Sequence, residues 1–419
     1  MSSSFQHVAT TKATPWACRR AVGDILEAPP FAKALTLLLF AAYFLRSSSL
    51  RIGLTSELLF YLCYVALVLV VVYILQASNY RLNETCMILL MLTIPSAILA
   101  GNQQSFLRWV GWALLLAAAG PLLQGGTARQ IRRSLLMMHV IGIHVLVGVS
   151  IMMFFTGVSL GGQGGFSGLT AHAMIMSPLA GLAGLDAYRR AGFSKHRSSW
   201  LAYAAAAGLV VVVAGSRGAV IASLGGLAVL AYQRRQVKLL WMVIPLAAVW
   251  LGLFLAGPER DGYLPDEEPE VHPWLERLSH KGARNTRAEH WQARWQEFRR
   301  SPIFGVGFQH AEGAGGARSL TGGVEPGSSY LAILSMTGVV GAAGFAILGS
   351  GLLHTLSQQW KLLNWKTRQL LAPWCTLFLL QMVFEGYLMG VGSWLCLMFW
   401  LCVGTLFDSP PSMKGRRDW

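Results

Sequence analysis

Long apolar stretches, broken at short intervals by polar turns, run along most of this chain. A membrane-spanning helix needs about 20 consecutive, mostly apolar residues. Twelve windows meet or approach that length: 31–45, 54–76, 84–100, 105–123, 134–158, 168–187, 199–214, 218–233, 238–256, 328–353, 369–389 and 391–407. The fourth and sixth are the weakest of the twelve, and the seventh and eighth are short. The pattern predicts an all-α integral membrane protein of about twelve transmembrane helices. One large extracytoplasmic loop falls between helices nine and ten.

Composition agrees with the pattern. Of 419 residues, 54% are hydrophobic and 13% charged, against about 25% charged in soluble domains. Mean hydropathy is +0.49. The formal net charge of +15 would suit a nucleic-acid partner if the cations were clustered, but they alternate with the spans. Arg19, Arg20, Arg81, Arg129, Arg132, Arg133, Arg189, Arg190, Arg234, Arg235, Lys366, Arg368, Arg416 and Arg417 all fall on one side, whereas the short turns opposite hold Arg46, Arg51, Arg108 and Arg217. Cytoplasmic turns are the ones enriched in Lys and Arg, so both termini are expected in the cytoplasm and the charge reflects topology, with no nucleic-acid partner. The resulting layout is a cytoplasmic tail at 1–30, a membrane bundle of about nine spans at 31–256 and an extracytoplasmic loop with short helices at 257–326. About three further spans follow at 327–407, then a cytoplasmic tail at 408–419. The N-terminus lacks a short apolar core with a small-residue cleavage site and is expected to be retained. Six cysteines lie in or beside apolar segments without a CxxC pair, which supports neither a disulfide framework nor a zinc site.

Chemistry is expected on the extracytoplasmic face. The acidic run Asp266, Glu267, Glu268 and Glu270 lacks cation-loop spacing and reads as solvated chain. Further on, Thr286-x-x-Glu289 forms a capping box and Pro302 closes the helix it starts. On that helix Arg287, Trp291, Arg294 and Phe298 share a face. Arginine forks a phosphate and Trp offers a flat face to a pyranose; an interfacial helix with snorkelling Arg fits the same pattern. In "SPIFGVGF", Gly305 and Gly307 permit close approach of a ligand to the backbone. Arg217 stands in the turn "AGSRGA", too short for a soluble loop, where an ionisable residue at the membrane edge points to function. Glu385 occupies an apolar stretch on the same face, suited to pairing with Arg217 or binding sugar hydroxyls. His139 and His144, five apart within the fifth window, read as packing donors.

The order "SRGAVIASL", then "RAEHW…SPIFGVGF", then "PGSSYLAILSMTGVVG" resembles the O-antigen ligase and polymerase superfamily, membrane glycosyltransferases whose donor is a lipid-pyrophosphate-linked glycan. The resemblance runs from about Gly164 to the last spans. It implies glycosyl transfer from an undecaprenyl-pyrophosphate-linked glycan to an acceptor hydroxyl, at the periplasmic face of a bacterial inner membrane. A glycan or glycolipid acceptor and membrane lipid are the implied partners. Arg217 would bind the donor pyrophosphate, and Arg287 and Trp291 match the family's Arg-x-x-x-Trp element. In the family's Pro-His-Asn-x-Tyr-Leu, Pro326, Tyr330 and Leu331 are kept, while Gly327 and Ser328 stand at the histidine and asparagine positions. That departure favours a polymerase over a ligase. The loosely matching "GLTAHAM" adds His172 to the substrate-binding set.

Because a lipid pyrophosphate leaves as a stable anion, neutralising its charge outweighs protonating it. Arg217, Arg287, Arg294 and Arg284 could do so, with the backbone N–H groups at Ser328 and Ser329 and the adjoining Tyr330. No metal or cofactor is expected. Glu325 and His310 are the first candidates for general base, followed by His290, His280 and His272. A transporter or flippase for a lipid-linked glycan is the alternative; no internal repeat of the kind common in transporters is visible.

Overall fold

A computed structural model describes residues 29–50, 54–77, 79–157, 166–255, 286–308, 327–359 and 365–408. Each apolar window coincides with a helix. These are α1 (Pro30–Ser47), α2 (Ser56–Gln76), α3 (Glu84–Leu99), α4 (Gln103–Ala118), α5 (Gly126–Thr156), α6 (Ala173–Ala191), α7 (Arg197–Val213), α8 (Arg217–Gln233) and α9 (Val237–Leu255). After the polar helix α10 (Thr286–Arg300) come α11 (Ser329–Gln359), α12 (Trp365–Phe384) and α13 (Trp394–Phe407). Among the described residues, four helices are long and apolar enough by themselves to cross a membrane: α1, α2, α5 and residues Ser329–Gln358 of α11. α3, α7, α13 and Val237–Val249 of α9 are apolar but shorter.

Polar residues at the window edges start several of these helices. Thr55, Asn83 and Asn102 accept hydrogen bonds from Leu58 N (3.2 Å), Cys86 N (3.0 Å) and Ser105 N (2.7 Å), satisfying first-turn donors that helix geometry leaves orphaned. Along α2, Leu58, Tyr61, Val65, Val68, Val72 and Leu75 remain exposed. So extended an apolar stripe is unstable in water and suits lipid. Small residues set the helix spacing inside the bundle. A Cβ at Gly225 would meet Leu380 at 2.2 Å, and one at Gly226 would meet the Pro373 carbonyl at 2.9 Å, so α8 lies tightly on α12.

Contacts between the inter-helix turns fall into two separate sets. In one, β1 (Tyr80–Leu82) pairs antiparallel with β2 (Leu123–Gly125). Arg132 holds Asp408, and Arg234 donates to the Tyr188 (3.1 Å) and Arg189 (2.5 Å) carbonyls. In the other, Ser47–Ser49 join Leu169–Ala171, Phe308 N donates to Ser105 Oγ (2.8 Å), Gly392 packs on Arg46, and Ser329 meets Glu385. Among the described residues no turn belongs to both sets, and each set gathers only turns that strict up-and-down alternation puts on one side.

Two of the buried ion-pair groups among the described residues lie in or near the first set. Arg132 is fully enclosed: Nε and Nη2 bind the two Asp408 oxygens at 2.7 and 2.5 Å, and Nη1 donates to the Gly120 and Leu123 carbonyls. Asp186 receives Arg189, Arg190 and His144 at 2.6, 2.6 and 2.8 Å. His144 thus bridges α5 to α6, and His139 bonds the Leu135 carbonyl of its own helix at 2.7 Å.

Candidate functional site

Arg217 owes its position to a three-residue reversal. α7 closes at Ala214, Gly215 takes a left-handed φ of +76°, and Ser216 caps α8 by accepting from Ala219 N at 3.4 Å. Gly215 is there because other residues strain at that φ. Arg217 becomes the first residue of α8, half-buried. A cation beside a helix N-terminus opposes the macrodipole, by about 0.3–1 kcal/mol. An anion brought to the same place is attracted by both. Gly218 then lets α8 touch α12: a Cβ there would lie 2.6 Å from Phe384 Cβ.

Phe384 ends α12 and Glu385 follows, 2% exposed. The start of α11 docks here. Ser329 donates through N and Oγ to the Glu385 carbonyl, at 3.2 and 2.7 Å, and its Oγ accepts from Tyr387 N at 3.2 Å. Ser328 Oγ donates to the Met382 carbonyl (3.2 Å) and Tyr330 Oη to the Leu379 carbonyl (3.0 Å). All three hydroxyls therefore hold the α12 exit against α11, while the Tyr330 ring stays exposed.

α10 completes the group. Gly327, at φ +109°, lies beside it: a Cβ at 327 would be 3.5 Å from His290 Cβ and 3.6 Å from Trp291 Cδ1. Both side chains are half-buried, and the buried Trp291 indole nitrogen meets no hydrogen-bond partner among the described residues. Arg294, one turn on, is 1% exposed; its Nη1 binds Glu297 Oε2 at 2.9 Å and Ser335 Oγ at 3.3 Å. Glu297 is a partner that the shared-face pattern does not show, although its i, i+3 spacing allows it.

The Gly-x-Gly segment meets a different partner from the one expected of it. α11 is broken at Gly338 (φ 62°, ψ −168°), and residues 302–307 lie in the break. Val306 N and Gly307 N donate to the Ser335 (2.8 Å) and Met336 (3.0 Å) carbonyls. In return Val339 N and Val340 N donate to the Pro302 (2.9 Å) and Ile303 (3.2 Å) carbonyls. What Gly305 admits is the backbone of α11 itself, 2.3 Å from where a Cβ would stand. Ser96 Oγ also donates to the Met336 carbonyl, adding α3. This interlock fixes the C-terminal end of α10, and so aims Trp291.

Contacts thus link Arg217, Glu385, Ser328, Ser329, Tyr330 and Trp291 into one neighbourhood, from α8 through α12 and α11 to α10. Arg287 is the second residue of α10. His172 caps α6, its Nδ1 accepting from Met174 N at 3.0 Å, on the segment that pairs with Ser47–Ser49. Arg284, His310 and Glu325 lie outside the described residues, as do the acidic run at 266–270 and the glycine-rich run after His310. Among the described residues, no three His, Cys, Asp or Glu side chains are grouped to hold a metal ion.

The family model described as O-antigen ligase matches residues 193–346. No curated protein matches the chain. The matched stretch takes in α7 to α10, the interlock and the first half of α11, with Arg217, Trp291 and Gly327 inside it and Glu385 beyond it. The match at residues 193–346 supports a likeness of this part of the chain to the O-antigen ligase/polymerase superfamily.

Proposed function

We propose that the chain transfers a glycan from an undecaprenyl-pyrophosphate carrier to an acceptor hydroxyl, as a polymerase of O-antigen or exopolysaccharide, at the extracytoplasmic face. The convergence of Arg217, Glu385, Trp291 and the start of α11 at one cluster of turns carries the proposal. That cluster belongs to the set opposite the Arg-rich turns, which the positive-inside rule assigns to the periplasm of a bacterial inner membrane. The separation of the turns into two sets supports twelve crossings with both termini cytoplasmic.

In this scheme the acceptor oxygen attacks the anomeric carbon while the C1–O bond to the lipid pyrophosphate breaks. The departing electron pair stays on the pyrophosphate, whose charge Arg217, Arg287 and the α8 N-terminus neutralise. Trp291 stacks the sugar and Glu385 binds its hydroxyls. Ser328, Ser329 and Tyr330 hold the α11 start in register with Glu385, and Arg294 buttresses α10. Glu325 or His310 takes the proton of the attacking hydroxyl as general base, and Arg284 and His172 complete the candidate set. Arg217→Ala is expected to lower turnover by about 10²–10³-fold, the loss typical of one preorganised transition-state donor, with normal membrane insertion. Wild-type surface polysaccharide in that variant would exclude the scheme. Activity is expected to survive excess EDTA, since arginines supply the charge; loss on chelation would overturn the metal-free version.

A further inference from the structure

A second group of side chains gathers in the other set of turns, where the ends of α6 and α8 meet the starts of α7 and α12. Arg234, just past α8, donates to the Tyr188 and Arg189 carbonyls in the last turn of α6, at 3.1 and 2.5 Å. Its guanidinium also lies 5.3 Å from the Tyr188 ring centroid and 5.5 Å from that of Phe193. Lys366, in the first turn of α12, brings its ammonium to 5.9 Å from the same Phe193 ring. Arg190 lies over Trp200 of α7 at 5.2 Å.

Positive charge exceeds negative here. α6, α7, α8, α12 and the turns 192–196 and 234–236 carry one acidic residue among the described residues, Asp186, and Arg189, Arg190 and His144 already share it. Arg197 is exposed at the first position of α7, where the macrodipole disfavours a cation. Burial, with the neighbouring charges of Arg189 and Arg197, holds the Arg234 guanidinium below its usual value against the opposing pull of Tyr188. An anion relieves such crowding, and guanidinium forks suit phosphate oxygens.

The surroundings select the kind of anion. Phe193, Tyr232 and Trp365 are exposed at these helix ends, as amphipathic aromatics are at headgroup level. From Arg234 the chain turns directly into α9, which packs on α8 and exposes Trp241, Met242 and Ile244. A phosphate at the cations and hydrocarbon along α9 are the two ends of one lipid. Basic pockets between spanning helices hold anionic headgroups in this way.

We propose that Arg234, Arg197 and Lys366 bind the phosphate of an anionic phospholipid in the leaflet bordering the Arg-rich turns, with its acyl chains along α9. The site requires that the apolar helices stand in a membrane, and it is independent of glycosyl transfer at the other set of turns.

Native mass spectrometry of the full chain in detergent, titrated with phosphatidylglycerol and with phosphatidylcholine of the same acyl chains, tests this. Wild type is expected to bind phosphatidylglycerol about tenfold more tightly. Arg197→Gln and Lys366→Gln should each weaken that binding about fivefold, the share of one cation near a lipid surface, and leave phosphatidylcholine unchanged. Lys366→Arg should keep wild-type affinity. Arg81→Gln removes an exposed cation on β1 in the same set of turns and should alter neither lipid. Thermal unfolding without lipid, unshifted in Arg197→Gln, shows that variant to be folded. Equal affinity of wild type for the two lipids overturns the site. So does a loss in Arg81→Gln as large as in Arg197→Gln, which would mean diffuse attraction by net charge. Displacement of phosphatidylglycerol by millimolar inorganic phosphate would assign a free anion and overturn the lipid.

Discussion

Replacing Gly305 by alanine tests the interlock that aims α10. A Cβ at this position would stand 2.3 Å from the Met336 carbonyl carbon, 2.4 Å from its oxygen and 2.5 Å from Thr337 N. All three atoms are backbone, so no side chain can turn aside. The native φ of +73° adds about 1–2 kcal/mol for any residue with a Cβ. Relief requires residues 305–307 to withdraw from α11, which breaks the bonds from Val306 N and Gly307 N to the Ser335 and Met336 carbonyls. Each lost bond costs about 0.5–1.5 kcal/mol, or about 1–3 where a buried group is left unmet. Together the local penalty is about 3–6 kcal/mol, a factor of roughly 10²–10⁴ in the docking equilibrium at 1.4 kcal/mol per decade. Hydrogen exchange in detergent micelles reads it directly: the amides of Val306, Gly307, Val339 and Val340 should exchange at least a hundredfold faster. Gly349→Ala on the same helix, where a Cβ meets nothing within 4 Å, should leave these amides unchanged. Wild-type protection at all four amides in Gly305→Ala would refute the interlock.

Three further substitutions probe the frame around the site. Asp408→Ala strands the buried Arg132 and is expected to destabilise by about 3–5 kcal/mol, whereas the double change Arg132→Met, Asp408→Leu should recover most of that; thermal unfolding in detergent distinguishes the two, and equal losses would contradict a buried pair. Glu297→Ala leaves Arg294 buried without its carboxylate and should loosen α10 from α11 by a similar amount, read as faster proteolysis within α10 without a change elsewhere. Ser329→Ala removes hydrogen bonds to the Glu385 carbonyl and from Tyr387 N, worth about 1–3 kcal/mol together. Activity should fall in that variant while the protein still inserts, and an unchanged rate would argue against a positioning role.

Local chemistry made part of this molecule legible. The apolar windows coincide with helices because window length and polar edge residues are local properties, and Asn83, Asn102 and Thr55 cap the helices that begin beside them. The capping-box sequence at Thr286 and the proline at 302 likewise fall at the two ends of α10, Thr286–Arg300. Arg217 stood out because no charge sits in so short a turn without reason. The remainder depends on partners distant in the chain. Gly338 looks like an ordinary small residue of an apolar helix until residues 302–307 fill the break it makes. Gly305 and Gly307 signal close approach but not what approaches. Arg132, one of three cations in "RQIRR", reads as a solvated topology signal, and its buried partner Asp408 lies 276 residues away. Ser328, Ser329 and Tyr330 present hydroxyls at a helix start in sequence; in the fold those hydroxyls bind α12.

Glycosyl transfer itself is tested most directly with the full-length protein reconstituted in proteoliposomes and given undecaprenyl-pyrophosphate-linked glycan. Wild type should convert the lipid-linked glycan into extended or transferred product, and Arg217→Ala should do so at least a hundredfold more slowly. Movement of the lipid across the bilayer without any new glycosidic bond, or equal product from both proteins, would contradict it.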